Sequence, residues 1–563
     1  MENIIFLILR RMRLPLVLLV SVYALSVLGL VLIPGLDDQG NPWHMDFFHA
    51  FYFVSFMGST IGFGEIPYAF TDAQRMWVVF TIYIAVVAWL YTIGTMISLI
   101  QTPAFQSAVT RNAFIRGTRR IRSAFFLICG YGDTGELLVD TLTDRGLRAV
   151  AIDVDQNRIN NLELKELPVQ VPGLCADALD LSSLLAAGLK HRHCAGVVAL
   201  TDNDHINLKI AITSKLINPR LRVICRAESH DAAANIASFG TEHIINPFDT
   251  FADHLAMALN APSMYLMNDW LTSASHRPLS EPLFPPRGRW ILCGYGRFGK
   301  AVAKRLLDEG NTVTVIEADP QATDAPAESI CARGTEADTL LEADVKNAVG
   351  VVAGTDDDAN NLSIVMTAGD LNPTLFVVAR QNRSENDEIF RAARLDLVAK
   401  NSGIIASRIL ALITTPLTAE FLRLASQQER QWADELISRI IGVADDRVPQ
   451  TWMLETRATD TPAVAQALAN GDTVLLEHLC RDPHDRKRLL RCVPLLMKRG
   501  REHNLLPGLK TALQPFDQIL FCGRETAIHR MSRICYDPSV LCYTTTGKRP
   551  AAGWVWRRLI RSA

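Results

Sequence analysis

The sequence predicts a helical membrane domain followed by cytoplasmic α/β structure: two Rossmann-like, doubly wound parallel-sheet domains and a small α+β C-terminal lobe. Three observations predict this fold class. Residues 14–33 and 76–100 contain no charged residue, and each run has about the 20 residues that a helix needs to cross a bilayer. A pattern of apolar strand, glycine turn and amphipathic helix then occurs twice. Beyond Arg430, short strand-like segments alternate with polar loops.

Composition limits the class of protein. The chain has 563 residues, a net charge of -2 and 49% hydrophobic residues. A chain of this length is too long for one core and indicates three or four units. The near-neutral charge gives no support to nucleic-acid binding. The eleven cysteines form no CxxC pair and show no metal-ligand spacing, so we expect reduced, mostly buried thiols.

Cationic residues orient the predicted spans. Arg10, Arg11 and Arg13 precede the first span, and five arginines lie between residues 111 and 122, after the second. Cations favour the cytoplasmic side, so we expect both termini in the cytoplasm, with the chain in the inner membrane and in contact with lipid. The loop between the spans then faces outside, and its excess of carboxylates would concentrate cations.

A short apolar segment lies in that loop. Residues 44–58 are too few to cross a bilayer and fit a re-entrant helix. Residues 59–65 then place irregular backbone at membrane depth, which is tolerated only inside protein or along a water-filled path. We therefore interpret residues 1–100 as a pore domain.

The sequence TIGFG at residues 60–64 supplies a cation site. Glycine at positions 62 and 64 frees the backbone, so the carbonyls of Thr60, Ile61, Gly62 and Phe63 can face one axis. Four copies of this strand, with the Thr60 hydroxyls, would replace the hydration shell of K+. This segment resembles the TVGYG signature of potassium channels. The resemblance implies a K+-selective homotetramer with a filter from Thr60 to Gly64.

Three positions differ from the family pattern. Ile61 stands for valine, Phe63 for tyrosine and Glu65 for aspartate. The glycines and the threonine are retained, so we expect K+ selectivity. Phe63 lacks the hydroxyl that could tie the filter to its surroundings, which keeps a nonselective cation channel as the alternative.

Gly94 lies in the second half of the second span. Glycine weakens a helix by about 1 kcal/mol relative to alanine, so Gly94 is a candidate gating hinge. Close packing of helices explains a glycine there equally well.

The cytoplasmic part is a duplication. Gly294, Gly296, Gly299 and Glu317 each follow their counterparts, Gly130, Gly132, Gly135 and Asp153, by 164 residues. Further along, Thr355 and Arg380 follow Thr201 and Arg226 by 154 residues. Constant spacing indicates a repeated unit.

Each repeat carries a GxGxxG turn between a predicted strand and a predicted helix. A turn of this kind binds phosphate through the backbone amides at the N-terminus of the helix. A carboxylate follows 18 residues after the last glycine of each turn. It can accept hydrogen bonds from ribose hydroxyls and would repel a 2'-phosphate. We therefore favour NAD, NADH, ADP, ATP or AMP over NADP.

Two sets of residues are predicted to bind nucleotide. Arg226 and Arg380, at strand ends, could contact phosphate, although solvated surface arginines fit equally well. In the first repeat the set is Gly130, Gly132, Asp133, Thr134, Gly135, Asp153, Asp177, Thr201 and Arg226. In the second it is Gly294, Gly296, Arg297, Phe298, Gly299, Glu317, Thr355 and Arg380.

The run Asp356, Asp357 and Asp358 could hold Ca2+. No EF-hand spacing surrounds it, so a helix-capping cluster is the favoured interpretation.

The two repeats resemble RCK domains, the regulators of potassium conductance, over about residues 123–425. The segments CADALD (175–180) and RGTEAD (333–338) are similar to a family loop beside the nucleotide. The resemblance implies a first RCK domain at 123–270, whose helices from 247 cross over to the second repeat, a linker at 271–288 and a second RCK domain at 289–425. Residues 426–563 form the C-terminal lobe, in which TVLLEHL (473–479) and QILFCGR (518–524) are predicted strands.

Four chains would supply the eight RCK domains of a gating ring, which acts on the pore through a linker at residues 101–122. The predicted function is therefore a ligand-gated potassium channel with no enzymatic activity. The rival class is a membrane-tethered NAD-dependent oxidoreductase, but the sequence shows no paired histidine and carboxylate for hydride transfer.

Overall fold

The computed structural model describes residues 2–59, 61–62, 64–241, 243–272 and 278–548. The chain divides into two compact units, one ending at Arg120 and the other beginning at Ile121. The last ten residues, WVWRRLIRSA, lie outside the described residues.

The N-terminal unit is helical. Its elements are α1 (Glu2–Leu32), β1 (Gly35–Leu36), β2 (Pro42–Trp43), α2 (Phe47–Gly58), α3 (Asp72–Gln101) and α4 (Pro103–Arg119). Segments Arg10–Leu32 and Asp72–Gln101 are long and apolar enough to cross a membrane, and α2 is a shorter apolar helix.

Local hydrogen bonds determine where two of these helices begin. The Asp46 carboxylate accepts the His49 N–H, so α2 starts at Phe47. Before α3, the Thr71 hydroxyl accepts the Gln74 N–H while the Gln74 side chain accepts the Thr71 N–H. This reciprocal capping satisfies two of the amides that a helix start leaves free.

Glycines bring α1, α2 and α3 into close contact. A Cβ at Gly58, the end of α2, would lie 2.2 Å from the hydroxyl of Tyr23 on α1. That hydroxyl accepts a 2.9 Å hydrogen bond from Nε1 of Trp89 on α3. A Cβ at Gly29 would lie 2.0 Å from the ring of Trp77. Larger residues would push these helices apart.

The first repeat forms a six-stranded parallel sheet in the order β5-β4-β3-β6-β7-β8. Its elements are β3 (Phe125–Cys129), α5 (Asp133–Asp144), β4 (Arg148–Asp153), α6 (Gln156–Leu164), β5 (Gly173–Cys175), α7 (Leu181–Ala186), β6 (Cys194–Ala199), α8 (Asp204–Ile217), β7 (Arg222–Arg226), α9 (His230–Ser238) and β8 (His243–Ile245). Strand β3 is buried at all five residues, as expected for a sheet covered on both faces.

Two helices, α10 (Pro247–Asn260) and α11 (Pro262–Thr272), lead to the second repeat. Its sheet has the matching order β11-β10-β9-β12-β13-β14. The elements are β9 (Arg289–Cys293), α12 (Arg297–Asp308), β10 (Thr312–Glu317), α13 (Pro320–Thr323), β11 (Ile330–Cys331), α14 (Ala337–Glu342), β12 (Gly350–Ala353), α15 (Asp358–Leu371), β13 (Phe376–Gln381), α16 (Asp387–Ala392), β14 (Leu397–Lys400) and α17 (Asn401–Thr414).

The repeats exchange their last helices. Phe248, Phe251 and Leu255 of α10 are buried against the second sheet, in one cluster with Trp290 and Phe298. In return, α17 buries apolar residues in the core of the first sheet, including Ile405, Ile409 and Leu410. Each core is therefore completed by a helix from the other repeat.

The C-terminal lobe has α+β structure. Helix α18 (Pro416–Ala425) falls within the range predicted for the second repeat but packs into one cluster with the lobe. The elements of the lobe are α19 (Arg430–Ala444), β15 (Gln450–Glu455), α20 (Pro462–Ala469), α21 (Leu476–Cys480), β16 (Cys492–Arg499), β17 (Glu502–Leu505), β18 (Gln518–Gly523), α22 (Glu525–Tyr536) and α23 (Pro538–Thr546). The strands form an antiparallel sheet in the order β15-β18-β16-β17. The predicted fold class is confirmed: two apolar helices of spanning length are followed by two doubly wound parallel sheets and an α+β lobe.

One predicted strand is wrong. QILFCG forms β18, but TVLLEHL contains helix α21. The Leu475 N–H bonds to Nδ1 of His478, which favours a helical turn, and buried Leu476 and Leu479 fit one helical face. Short apolar runs fit a strand and a buried helix alike.

The segment predicted as a linker contacts the C-terminal lobe. Residues 273–277 lie outside the described residues. After them, Pro278 bridges to Arg447, and the Leu279 N–H bonds to the Asp446 carbonyl at 3.2 Å. Helix α11 packs Met267 and Trp270 into the same cluster as α19.

Truncation of an exchanged helix should loosen the other repeat. Ile409 is fully buried in the first repeat's core, so Ile409→Ala should cost about 2–5 kcal/mol. Hydrogen-exchange mass spectrometry on the full chain should show faster exchange in β3, β4 and β6 of the first repeat. Ile389→Ala, at a side chain 56% exposed on α16, is the control. Faster exchange confined to the second repeat would contradict the exchanged packing.

Candidate functional site

The glycine turns follow β3 and β9. Gly130 has a φ of +102°, and a Cβ there would lie 2.9 Å from the Leu200 carbonyl carbon. A Cβ at Gly135 would lie 2.2 Å from the Gly130 oxygen. The second repeat is the same: Gly294 has a φ of +95°, and a Cβ at Gly299 would lie 2.0 Å from the Gly294 oxygen. These positions require glycine for the turn and for the helix contact.

The middle glycine of each turn precedes a helix. Gly132 and Gly296 occupy the N-cap positions of α5 and α12, and neither helix start receives a side-chain hydrogen bond at the cap. The first amides of both helices are thus available to a ligand. A Cβ at Gly296 would meet no atom within 4 Å, and its φ of -68° suits any residue.

The predicted ribose-binding carboxylates end β4 and β10. The buried Asp153 accepts the Tyr131 N–H at 2.6 Å and the Asp155 N–H at 2.8 Å. Glu317 accepts the Tyr295 N–H at 2.5 Å and the Asp319 N–H at 3.1 Å. Each carboxylate is therefore held beside its glycine turn, and its oxygens retain lone pairs for ribose hydroxyls.

A buried asparagine joins the next two strand ends in each repeat. Thr201 donates its N–H and its hydroxyl to Oδ1 of Asn207, at 3.0 and 2.8 Å. Nδ2 of Asn207 donates to the Arg226 carbonyl at 3.0 Å. Asn361 makes the same bonds to Thr355 and Arg380, at 2.9, 2.7 and 2.8 Å. Sequence reasoning missed these asparagines, although they share the 154-residue spacing.

The first cavity, of about 670 Å3, lies over the first glycine turn. It is lined by every residue predicted for the first repeat except Gly135, which lies behind the turn. The second repeat also contributes, through residues 380–385 and 400–402. The candidate nucleotide site of the first repeat therefore includes residues of both repeats.

The second cavity, of about 520 Å3, is lined by Gly294, Gly296, Arg297, Glu317, Thr355 and Arg380. Two predicted residues do not line it. Phe298 is fully buried against Phe248 and Phe251 in the core, and Gly299 packs beneath Gly294. They form the base of the turn.

The loops resembling the family's nucleotide loop reach both cavities. Asp177 lines the first cavity and accepts the Leu179 N–H at 2.8 Å. Arg333, Gly334 and Thr335 line the second cavity. Asp180 instead caps α7, by accepting the Ser182 N–H at 3.0 Å.

Arginines link the two cavities. Glu228, a buried residue that sequence reasoning missed, bonds to Arg226 and forms a 2.7 Å ion pair with Arg297. Arg380 lines both cavities, and its guanidinium lies 5.1 Å from the Phe248 ring centre. Burial lowers the pKa of Arg380. Among the described residues, Nε of Arg226 and of Arg380 is buried without a hydrogen-bond partner.

The aspartate run serves as a cap. Asp357 accepts the Asn360 N–H at 2.8 Å at the start of α15, and Asp358 accepts the N–H groups of Asn382 and Arg383, at 2.7 and 3.1 Å. The described residues contain no group of three or more histidine, cysteine, aspartate or glutamate residues able to hold a metal ion.

The predicted filter is described in part, because Thr60 and Phe63 lie outside the described residues. Gly62 has a φ of +65° and Gly64 a φ of +106°, angles that favour glycine. The Ile61 N–H bonds to the Phe56 carbonyl of α2 at 3.0 Å.

An ion pair holds the chain that follows. Oε1 of Glu65 lies 2.9 Å from Nε of Arg75 on α3, and Oε2 accepts the Phe70 N–H at 2.9 Å. The segment after the glycines is thus tied to the start of α3.

Gly94 lies within the continuous helix α3, and a Cβ there would meet no atom within 4 Å among the described residues. Close packing within one chain therefore does not explain this glycine.

Two family models match the chain. An ion channel domain matches residues 16–102, and a TrkA-N domain matches residues 126–247 and 290–401. The chain therefore combines one channel domain of two spans with two TrkA-N domains.

Curated relatives share parts of this arrangement. The chain is 24% identical over 204 residues to "Potassium channel protein 1" of Methanocaldococcus jannaschii, covering 36% of this chain and 59% of the relative. It is 25% identical over 243 residues to "Voltage-gated potassium channel Kch" of Escherichia coli, covering 42% and 55%. A "Trk system potassium uptake protein TrkA homolog" of Methanothermobacter thermautotrophicus is 32% identical over 138 residues, covering 23% and 63%. The chain spans less than two thirds of each relative's length.

Among solved structures, the "GsuK Channel" has a TM-score of 0.49 at 15% identity, covering 94% of this chain and 99% of that one. The "GsuK channel bound to NAD" has a TM-score of 0.46 at 14% identity with the same coverage.

The glycine geometry predicts opposite outcomes for two neighbouring substitutions. Gly299→Ala places a Cβ against the Gly294 carbonyl, and such overpacking costs about 1–3 kcal/mol. The thermal unfolding midpoint of the detergent-solubilised chain should fall. Gly296→Ala has open space and should leave the midpoint unchanged. Equal midpoints for the two variants would contradict the geometry of the turn.

Proposed function

We propose that this chain, which has the domain composition of two-transmembrane potassium channels with RCK domains, is a potassium channel that a nucleotide gates from the cytoplasm. The observation that carries the proposal is the order of elements within the matched channel domain. Two helices of spanning length flank a short apolar helix and a turn with two left-handed glycines. Such backbone is tolerated at membrane depth only inside protein or along a water-filled path, and the matched channel domain favours the path.

Conduction follows from the backbone of residues 60–63. Four copies of the chain surround one axis, and the carbonyls of Thr60, Ile61, Gly62 and Phe63 replace the water around K+, with the Thr60 hydroxyl as the innermost ring. The left-handed φ of Gly62 supports this arrangement, since carbonyls of successive residues can then face the same axis.

The Glu65–Arg75 ion pair supports selectivity despite Phe63. The tyrosine hydroxyl of the family pattern is missing, but the segment after the filter is tied to α3 at Arg75 and to the Phe70 amide. A charged pair with an additional backbone bond restrains the segment in place of that hydroxyl. A nonselective pore remains the alternative that ion-flux measurements distinguish.

Nucleotide regulates the pore through the two cavities. The free helix amides and the glycine turns supply a phosphate cradle, and Asp153 and Glu317 suit ribose hydroxyls. Arg226 lines the first cavity and Arg380 lines both, so each cavity has a cation that supports an anionic ligand. NAD, NADH, ADP, ATP or AMP fits this chemistry. The same cavities suit an oxidoreductase, for which turnover of NADH is the distinguishing assay.

The ligand acts by binding one state of the assembly more tightly than the other. Four chains supply eight RCK domains in a ring on the cytoplasmic side of the inner membrane, where both termini also lie. Residues 101–122, mostly helix α4, carry movement of the ring to α3, which bends at Gly94.

Loss of the left-handed glycine should abolish K+ flux. Gly62→Ala should block K+ uptake into liposomes containing the purified chain, because an alanine at a φ of +65° distorts the filter. Gly40→Ala is a matched control, since Gly40 also has a positive φ, of +81°, and equally open surroundings, but lies outside the filter. Flux retained in Gly62→Ala, or flux of Na+ equal to that of K+, would contradict a K+ filter.

Nucleotide should stabilise the chain through the second cavity. At a concentration of 100 times its Kd, a ligand adds about 2.7 kcal/mol, so ADP or NAD should raise the thermal midpoint measurably. Gly296→Ala should reduce the shift, because the new methyl group narrows the phosphate cradle. Gly369→Ala, at a glycine with open surroundings that lines neither cavity, should keep it. If no nucleotide changes the wild-type midpoint, ligand gating is wrong; if NADH is oxidised catalytically, the chain is an enzyme.

A further inference from the structure

The two cavities differ at the residue that begins the helix behind the glycine turn. Asp133 is the first residue of α5, and Arg297, 164 residues later, is the first residue of α12. Both side chains line their cavities. The duplication thus placed opposite charges at equivalent positions, beside the amides that would receive a phosphate.

In the first repeat, Asp133 already places a negative charge where the phosphate of a ligand would bind. Its Oδ2 accepts the N–H of Ser384, from the second repeat, at 3.0 Å. A carboxylate within the first turn of a helix satisfies the same positive end that would attract a phosphate. A phosphate entering there would meet a like charge at short range, which is unfavourable even where water screens it.

Arg297 has the opposite effect in the second repeat. Its side chain is more than half exposed, and its guanidinium forms a 2.7 Å ion pair with Glu228. It also lies 5.7 Å from the centre of the Phe248 ring. An arginine held at a helix N-terminus adds two parallel donors to the amides, a geometry that matches a phosphate.

The remaining charges reinforce this contrast. The second cavity has two carboxylates and three arginines: Glu317, Asp356, Arg297, Arg333 and Arg380. The first has six carboxylates and five cations: Asp133, Asp153, Asp177, Asp202, Glu228, Glu385, Arg158, Arg226, Arg380, Arg383 and Lys400. Cations of both cavities are already in ion pairs: Glu228 bonds to Arg226 and Arg297, and Asp387 pairs with Lys400 at 2.7 Å. The contrast therefore depends on the excess of carboxylates in the first cavity and on Asp133 itself.

We propose that the second-repeat cavity is the phosphate-selective site, which binds nucleoside diphosphates and dinucleotides through Arg297. Asp133 is the specificity-determining residue that excludes these ligands from the first-repeat cavity. This inference rests on nucleotide regulation as proposed above and assigns it to one cavity of each chain. At concentrations that saturate only the tighter site, ADP therefore occupies one site per chain.

The test is isothermal titration calorimetry of the full chain in detergent, with ADP as the probe. Wild type should show one tight site per chain. Asp133→Asn keeps an acceptor for the Ser384 N–H but removes the charge, and it should strengthen binding at the first site at least tenfold, which reveals a second site. Arg297→Gln should remove the tight site. Asp144→Asn, at the exposed last residue of α5, is the control and should match wild type.

A series of ligands separates the charge effect from a structural one. The gain in affinity of Asp133→Asn over wild type should be absent for adenosine and should rise from AMP to ADP. The reason is that the like-charge repulsion removed by the substitution grows with the charge of the phosphate. Two equal ADP sites in wild type, or an equal gain for adenosine, would overturn the proposal and leave nucleotide regulation intact. If ADP binds no variant, both the proposal and the regulation fail, while K+ flux of the same preparation tests the pore separately.

Discussion

The exchange of helices between the two sheets is the interaction on which the structure of the second unit, from Ile121 onward, depends. Helix α10 carries Phe248 and Phe251 into the second core, and α17 carries Ile405 and Ile409 into the first. Burial of such side chains contributes about 1.5–3 kcal/mol each, so the repeats cannot separate without exposing several of them. The duplicated sheets therefore behave as one cooperative body, although either sequence alone predicts an independent domain.

This packing also explains why the two candidate nucleotide sites are close. Because α17 crosses to the first sheet, the ends of β13 and β14 lie at the first cavity, and Arg380 lines both cavities. Glu228 joins Arg226 of one repeat to Arg297 of the other. A phosphate that attracts any of these arginines would change the charges around the others, so we expect electrostatic coupling between the two candidate sites.

The sequence predicted the sheets, the glycine turns and the strand-end carboxylates well, because these features depend on local chemistry repeated at constant spacing. The turns at Gly130 and Gly294 could be predicted because each glycine lies between an apolar strand and an amphipathic helix in the sequence. Glu228 and Asn207 were missed because their roles depend on partners from other strands or from the other repeat. Phe298 follows the turn in sequence, but the side of α12 on which it lies places it in the core. The TVLLEHL segment was wrong because tertiary packing decides between helix and strand in a short apolar run.

The central claim is that nucleotide bound to the duplicated RCK domains controls K+ conduction through the same chain. Planar-bilayer recording of the purified protein, with ADP or NAD applied to each face in turn, tests it most directly. The account predicts a K+ current whose open probability changes with nucleotide on one face alone, the face that carries the RCK domains. A K+ current whose open probability does not change with nucleotide on either face would contradict gating by nucleotide. The lack of any K+ current would contradict the assignment of a K+ pore.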